Sequence, residues 1–171
     1  ERLMVPHYRL PGATLDALRS CDAMIMSGGD VISLDYGLAS LYAWTGMAEN
    51  ALHLGKPVAL WGASVGPFTR KPQVETFAAA HLRRYASISV READSHAYLA
   101  RIGVASTQVA DPAFTMQPEA FDPSAFWPEG AEGCLGLNVS PLIRGYRDTE
   151  ASRQQLDAEV VAFVHSVTSQ T

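Results

Sequence analysis

Two hydrophobic periods run along the chain. Short apolar or β-branched runs at Ala23 to Met26, Pro57 to Trp61, Ser87 to Val90 and Thr107 to Ala110 are bounded by Gly, Pro or charged residues. Such runs predict buried parallel strands. Between them apolar residues recur at helical spacing. Leu15 and Leu18 follow Thr14, a good N-cap, and predict a short helix ending near Ser20. Leu38, Leu41, Tyr42, Ala48 and Leu52 predict a longer helix, stopped by Gly55 and Pro57. Pro72 suits a first helical position, and Val74, Phe77, Ala78, His81, Leu82 and Tyr85 mark the face of the helix after it. Asp94 or Ser95 caps another helix that runs to Ile102 and stops at Gly103.

The pattern breaks between Gln117 and Gly133, where Pro118, Pro123, Pro128, Gly130 and Gly133 crowd together. This reads as a linker (117–133) after one domain (1–116) and before the start of another (134–171). Cys134 to Val139 predicts a new strand, and Leu156, Val160, Phe163, Val164 and Val167 line the face of a last helix. The β-α alternation predicts an α/β fold: a Rossmann-like parallel sheet with helices on both faces.

Composition narrows the function classes. Apolar residues make up 47% of the 171 residues and charged residues 18%, enough to build a core. The net charge of −5 is not gathered into runs, which argues against a nucleic-acid partner. No apolar stretch reaches the length of a membrane span. Glu1 to Leu10 lacks the apolar core of a signal peptide. Cys21 and Cys134 flank strand-like runs and read as small buried hydrophobes, which fits a reducing cytoplasm. His7, His53 and His96 show no metal spacing, so no metal site is expected.

In an open parallel sheet, ligands bind beyond the carboxyl ends of the strands. Here that rule selects Ser27-Gly28-Gly29-Asp30, Gly62 to Pro67, Arg91-Glu92 and Asp111-Pro112. Glycine lets backbone approach a ligand, and backbone N–H groups can face an anion. Arg91 falls between a strand and a helix N-terminus, and its fork suits carboxylate or phosphate. The candidate substrate-binding residues are Gly28, Gly29, Asp30, Asp35, Ser64, Gly66, Arg91 and, in the later segment, Asn138. Plainer readings stand beside these. The glycines also suit a tight turn, Arg91 a surface ion pair, Asp111 a turn cap, Asp30 and Asp35 solvated loop acids, and His81 a core or boundary position.

Gly62-Ala63-Ser64-Val65-Gly66 also matches the G-x-S-x-G elbow of serine hydrolases, with Asp111 and His165 in the matching chain order. The context differs. Pro67, Phe68 and Thr69 prolong a loop where an elbow turns into a helix, and His165 lies in a predicted helix.

Read in order, the same segments resemble the polysaccharide pyruvyl transferase family. They are Cys21-Asp22-Ala23-Met24-Ile25-Met26-Ser27-Gly28-Gly29-Asp30, Gly55-Lys56-Pro57-Val58 and Gly62-Ala63-Ser64-Val65-Gly66-Pro67. Ser89-Val90-Arg91-Glu92 follows, with Ser95, Leu99 and Gly103, then Asp111-Pro112-Ala113-Phe114 and Gly136-Leu137-Asn138-Val139-Ser140. The resemblance implies a GT-B-like pair of Rossmann-like domains facing a cleft, the second incomplete here and the first lacking its first strand. It implies transfer of pyruvate from phosphoenolpyruvate to a sugar or lipid-linked saccharide, as a ketal, in cell-surface or exported polysaccharide synthesis. It brings no cofactor. The family carries an Arg-x-His type motif in the second domain, expected beyond this sequence. Its absence here leaves the catalytic acid unassigned and implies that a chain ending at Thr171 is inactive. Three alternatives stand: a nucleotide-sugar glycosyltransferase of the same fold, a non-catalytic remnant that binds anions or a partner, and a hydrolase acting through Ser64.

Overall fold

The computed structural model describes residues 8–122 and 136–169. The chain divides into two compact units, Glu1–Pro118 and Glu119–Thr171. The first contains α1 (Gly12–Ser20), β1 (Met24–Ser27), α2 (Gly37–His53), β2 (Val58–Ala63), α3 (Pro72–Leu82), β3 (Ser87–Val90), α4 (Ala93–Arg101) and β4 (Thr107–Gln108). A 3-10 turn over Pro112–Thr115 follows. This is an α/β fold, a Rossmann-like parallel sheet flanked by helices.

The sheet is parallel throughout, in the order β1-β2-β3-β4. Each strand is added on the same side of the last, so right-handed crossovers carry α2, α3 and α4 over one face. Side-chain alternation agrees. Met26, Val58, Leu60, Ile88 and Val90 share that face and are buried, against Leu41, Ala48 and Ala51 of α2, Val74, Ala78 and Leu82 of α3, and Leu99 of α4. Each large aliphatic buried there contributes about 1.5–3 kcal/mol. The other face is less covered: Ile25 and Trp61 are 59% and 54% exposed.

Three element ends differ from the sequence reading. Pro11, with φ already at −54°, precedes α1, so the helix begins at Gly12 and Thr14 lies inside it. Glu92, not Asp94 or Ser95, occupies the N-cap position of α4. Strand β2 continues through Gly62 to Ala63 rather than ending at Trp61.

That continuation is a β-bulge. Leu60 pairs with Ile88 but Ala63 with Val90, so β2 carries one extra residue against β3. Gly62 sits there at φ 58°, and its N–H donates to Ser89 Oγ at 3.0 Å. A Cβ on Gly62 would lie 2.4 Å from Pro112 Cδ. Beyond the bulge, Ile32, Val65 and Phe68 are buried and root the β1–α2 and β2–α3 loops in the core.

At α2 and α3, a buried histidine joins the packing. His81 Nδ1 lies 3.1 Å from Glu49 Oε2, its Nε2 lies 3.1 Å from Tyr85 Oη, and its ring stacks on Phe77. Burial lowers the His81 pKa, and the neighbouring Arg84 works in the same direction against the carboxylate of Glu49. Burial would raise Glu49, but the hydrogen bonds and charge of Arg84, with His81 and His53, outweigh it and hold that carboxyl below its ordinary value.

The second unit contains α5 (Pro141–Gly145) and α6 (Glu150–Thr168). Thr149 caps α6 by accepting the Ser152 N–H at 3.2 Å, and Arg144 reaches Asp157 and Glu150, both at 3.2 Å. The predicted strand Cys134 to Val139 is corrected in its later part. Cys134 and Leu135 lie outside the described residues, while 136–140 is irregular, with no paired strand beside it among the described residues. On α6, Leu156, Val160 and Val167 are half-buried but Phe163 and Val164 are exposed.

Two outcomes follow from these features. Gly62→Ala should lower stability by about 2 kcal/mol, through the left-handed backbone and the contact with Pro112. Gly12→Ala, where the new methyl meets open space, should change it by less than about 0.5 kcal/mol. Chemical denaturation of the two variants compares them directly, and equal effects would exclude the bulge as a constrained position. The His81 shift gives a pH dependence. Its folded pKa is lowered, so its stabilising contribution is present above the unfolded value of about 6.5 and is lost as pH falls toward the folded value. Urea midpoints should therefore decline on acidification below about pH 6.5, and the decline should flatten in His81→Phe.

Candidate functional site

The carboxyl ends of the strands carry four loops, and backbone hydrogen bonds join them edge to edge. Gly28 N–H donates to Trp61 O at 2.8 Å, Ser64 N–H to Gly29 O at 3.0 Å and Gly66 N–H to Ile32 O at 2.9 Å. A parallel bridge pairs Ile32 with Val65. Arg91 N–H reaches Ala63 O at 3.3 Å, and Val109 N–H reaches Val90 O at 2.9 Å. Gly28 and Gly29 turn the chain at φ 65° and 64°, where L-residues are strained.

Arg91, at the end of β3, is the hub. Its Nε donates to Ser64 Oγ at 2.9 Å, Nη1 to Asp111 Oδ2 at 2.8 Å and Nη2 to Asp30 Oδ1 at 2.8 Å. One guanidinium therefore binds a side chain from each of the three other loops. The side chain is only 25% exposed. The hydrogen bond to Asp111 raises the Arg91 pKa first, with the charges of Asp30, Asp111 and Glu92 adding to it against burial. Asp111 is held below the ordinary carboxylate value, first by the Ala113 N–H that donates to its Oδ1 at 2.8 Å and then by Arg91. Asp111 thus caps the 3-10 turn and binds the arginine at once.

Of the candidates read from the sequence, Asp30, Ser64 and Arg91 meet through these bonds. Gly28, Gly29 and Gly66 shape the loops that carry them. Asp35 is exposed, its backbone N–H donates to Ser33 Oγ at 3.2 Å, and it takes no part in the Arg91 bonds. Asn138 belongs to the second unit, in the irregular stretch 136–140, and is exposed. Two expectations are revised. The N–H groups of Gly28, Ser64 and Gly66 were to face an anion, but each is bonded within the fold. The arginine was read as the partner of an anion; each of its three nitrogens already has a partner within the fold, which leaves two of its five N–H donors for a ligand.

Asp111 stood out in the sequence as a strand-end turn residue, as the acid of the hydrolase order and as a family-motif position, and its bond to Arg91 adds it to the group. Tyr98 escaped notice altogether, and Ser95 stood out only as a helix cap and as one position of the family pattern. The Val65 N–H donates to Ser95 Oγ at 2.8 Å, and the Phe68 N–H donates to Tyr98 Oη at 3.0 Å. Their signal was a three-residue spacing along α4 from Glu92, whose Oε1 accepts the Ser95 hydroxyl at 2.6 Å.

The hydrolase elbow does not form. Ser64 faces a guanidinium donor rather than a base, α3 starts only at Pro72, and no histidine among the described residues bonds Ser64. Among the described residues, no group of three His, Cys, Asp or Glu side chains is placed to hold a metal ion, and no helix is long and apolar enough to cross a membrane.

Chemically, the cluster presents oxygens. One cation against two carboxylates leaves a net negative charge, with the second oxygen of Asp30 and the Ser64 hydroxyl next to the bonded atoms. Such a surface accepts hydrogen bonds from hydroxyl groups. No curated protein and no solved structure matches the chain. A family model described as polysaccharide pyruvyl transferase matches residues 2–166. With the match running through every loop of this rim, the chain belongs to the polysaccharide pyruvyl transferase family.

Proposed function

We propose that the chain serves transfer of pyruvyl from phosphoenolpyruvate to a pair of hydroxyls on a sugar or lipid-linked saccharide. The first unit would be the amino-terminal half of a GT-B-like enzyme, with 117–133 as the linker and 134–171 opening the second domain. In this reading the rim around Arg91 receives the acceptor. The observation that carries it is the guanidinium bound to Asp30, Asp111 and Ser64 together.

The reaction balances simply. Protonation of the donor methylene makes a methyl group and leaves its neighbouring carbon electrophilic. Two sugar oxygens bond to that carbon, and the carbon–oxygen bond to phosphate breaks. Of the two hydroxyl protons released, one replaces the proton taken up by the methyl group and the other leaves with phosphate. Asp30 and Ser64 are suited to orient the hydroxyls, and Arg91 to hold Asp30 and Asp111 in place. Bonded to the guanidinium through one oxygen, Asp30 has its second oxygen to accept hydrogen bonds. The acid that protonates the methylene is assigned to no residue of this rim.

Asp30→Asn should raise the acceptor KM about tenfold, as expected for loss of a charged hydrogen-bond acceptor, with the phosphoenolpyruvate KM little changed. Arg91→Ala leaves two carboxylates without their cation and should weaken acceptor binding more strongly. Calorimetry with each substrate separates this from a donor role for Arg91. Loss of phosphoenolpyruvate affinity in Arg91→Ala, with acceptor affinity kept, would sink the acceptor assignment.

A further inference from the structure

The loop that carries Ser64 is also fastened from α4, by Ser95 and Tyr98. Ser95, only 4% exposed, takes the Val65 N–H and gives its own hydroxyl proton to Glu92. One turn later, Tyr98 takes the Phe68 N–H at 3.0 Å and donates to Glu75 Oε2 of α3 at 2.7 Å. The Tyr98 ring meets Phe68 edge-on, with centroids 6.0 Å apart, and lies so close under Gly66 that a Cβ there would be 2.6 Å from it. Arg101 lies over the ring, 4.8 Å from its centroid, and also pairs with Glu75. Burial and the Glu75 hydrogen bond push the phenol up to about 12, so it remains a hydroxyl that can both donate and accept at neutral pH.

Two loop N–H groups, those of Val65 and Phe68, are thereby satisfied by side chains of α4. Left unbonded in this setting, each N–H would carry a desolvation penalty. The loop conformation sets where Ser64 Oγ stands, and Ser64 Oγ is the partner of Arg91 Nε. Since α4 begins two residues after Arg91, the same short segment aims the guanidinium and holds its target.

We propose that Tyr98, assisted by Ser95, is a positioning residue for the rim: its hydroxyl and ring hold the Val65–Phe68 loop so that Ser64 meets Arg91. The consequence for the acceptor rests on the function proposed above; the hold on the loop does not.

Tyr98→Phe keeps the ring and removes the hydroxyl, and Ser95→Ala removes the other acceptor. Nitrogen-15 NMR of the 171-residue chain reads both effects. The Phe68 amide in Tyr98→Phe and the Val65 amide in Ser95→Ala should exchange about tenfold faster. The Arg91 Nε–H resonance should shift in both variants. The amides of Ile88 and Val90 in β3 should keep their protection. Unchanged exchange at the loop, an unmoved Arg91 signal, or an equal loss of protection across the sheet would overturn the proposal. In the active enzyme, Tyr98→Phe should raise the acceptor KM about fivefold and leave the donor KM alone. A freed loop with unchanged acceptor KM would remove the acceptor from this rim while leaving Tyr98 as the residue that holds it.

Discussion

One guanidinium ties the rim of this sheet together. A parallel sheet delivers its strand ends to one edge, but it does not by itself decide how the loops there lie against one another. Arg91 decides it by binding Ser64, Asp30 and Asp111, which follow β2, β1 and β4. An arginine is suited to this because its planar fork offers several donors in fixed directions and stays charged. A lysine at the same place would present one point charge and lose the geometry.

The arginine can act this way because the backbone beneath it is already set. The bulge at Gly62 adds a residue to β2 just before Ser64, and Ser89 fills the hydrogen bond that the bulge leaves open. Ile32, Val65 and Phe68 anchor the two longest loops in the core. Bulges often re-aim side chains next to functional sites. Here the bulge places Ala63 against the helices and sends the next residue toward the rim. Packing, bulge and ion pairs therefore form one chain of dependence, running from apolar burial up to the carboxylates.

Much of this was legible in the sequence. The apolar runs marked β1 to β3 to within a residue or two because parallel strands buried under helices are apolar along their length. The strand-end rule pointed to Gly28 to Asp30, Ser64, Arg91 and Asp111 for the same reason: topology sends those positions to one edge. What spacing could not carry was the direction of individual hydrogen bonds. Gly28-Gly29 and Ser64 to Gly66 looked like donors awaiting an anion, yet Trp61 of β2, Gly29, Ile32 and the Ser95 side chain accept the N–H groups of Gly28, Ser64, Gly66 and Val65. Hydrophobic periodicity was equally silent about Ser95 and Tyr98, polar groups whose partners are backbone atoms 30 residues away. Helix ends slipped for a local reason: Pro11 starts α1 before Thr14 can cap it.

Charge then bears on how a two-substrate transfer divides its work. Phosphoenolpyruvate carries a phosphate of about −1.5 to −2 charge beside a carboxylate. Placed against a guanidinium already shared by two carboxylates, it would meet a net negative cluster, and like charges at that range repel unless one gives way. To be held by Arg91 without exchange for Asp30 or Asp111, each bonded at 2.8 Å, the donor would have only the second N–H of each terminal nitrogen, beside those carboxylates. Asp111 is further committed to the Ala113 N–H. A neutral polyhydroxyl ligand faces no such exchange, because it adds donors where lone pairs are in surplus. Under the function proposed above, the carboxylates fixed by Arg91 would hold the sugar hydroxyls in place for the transfer.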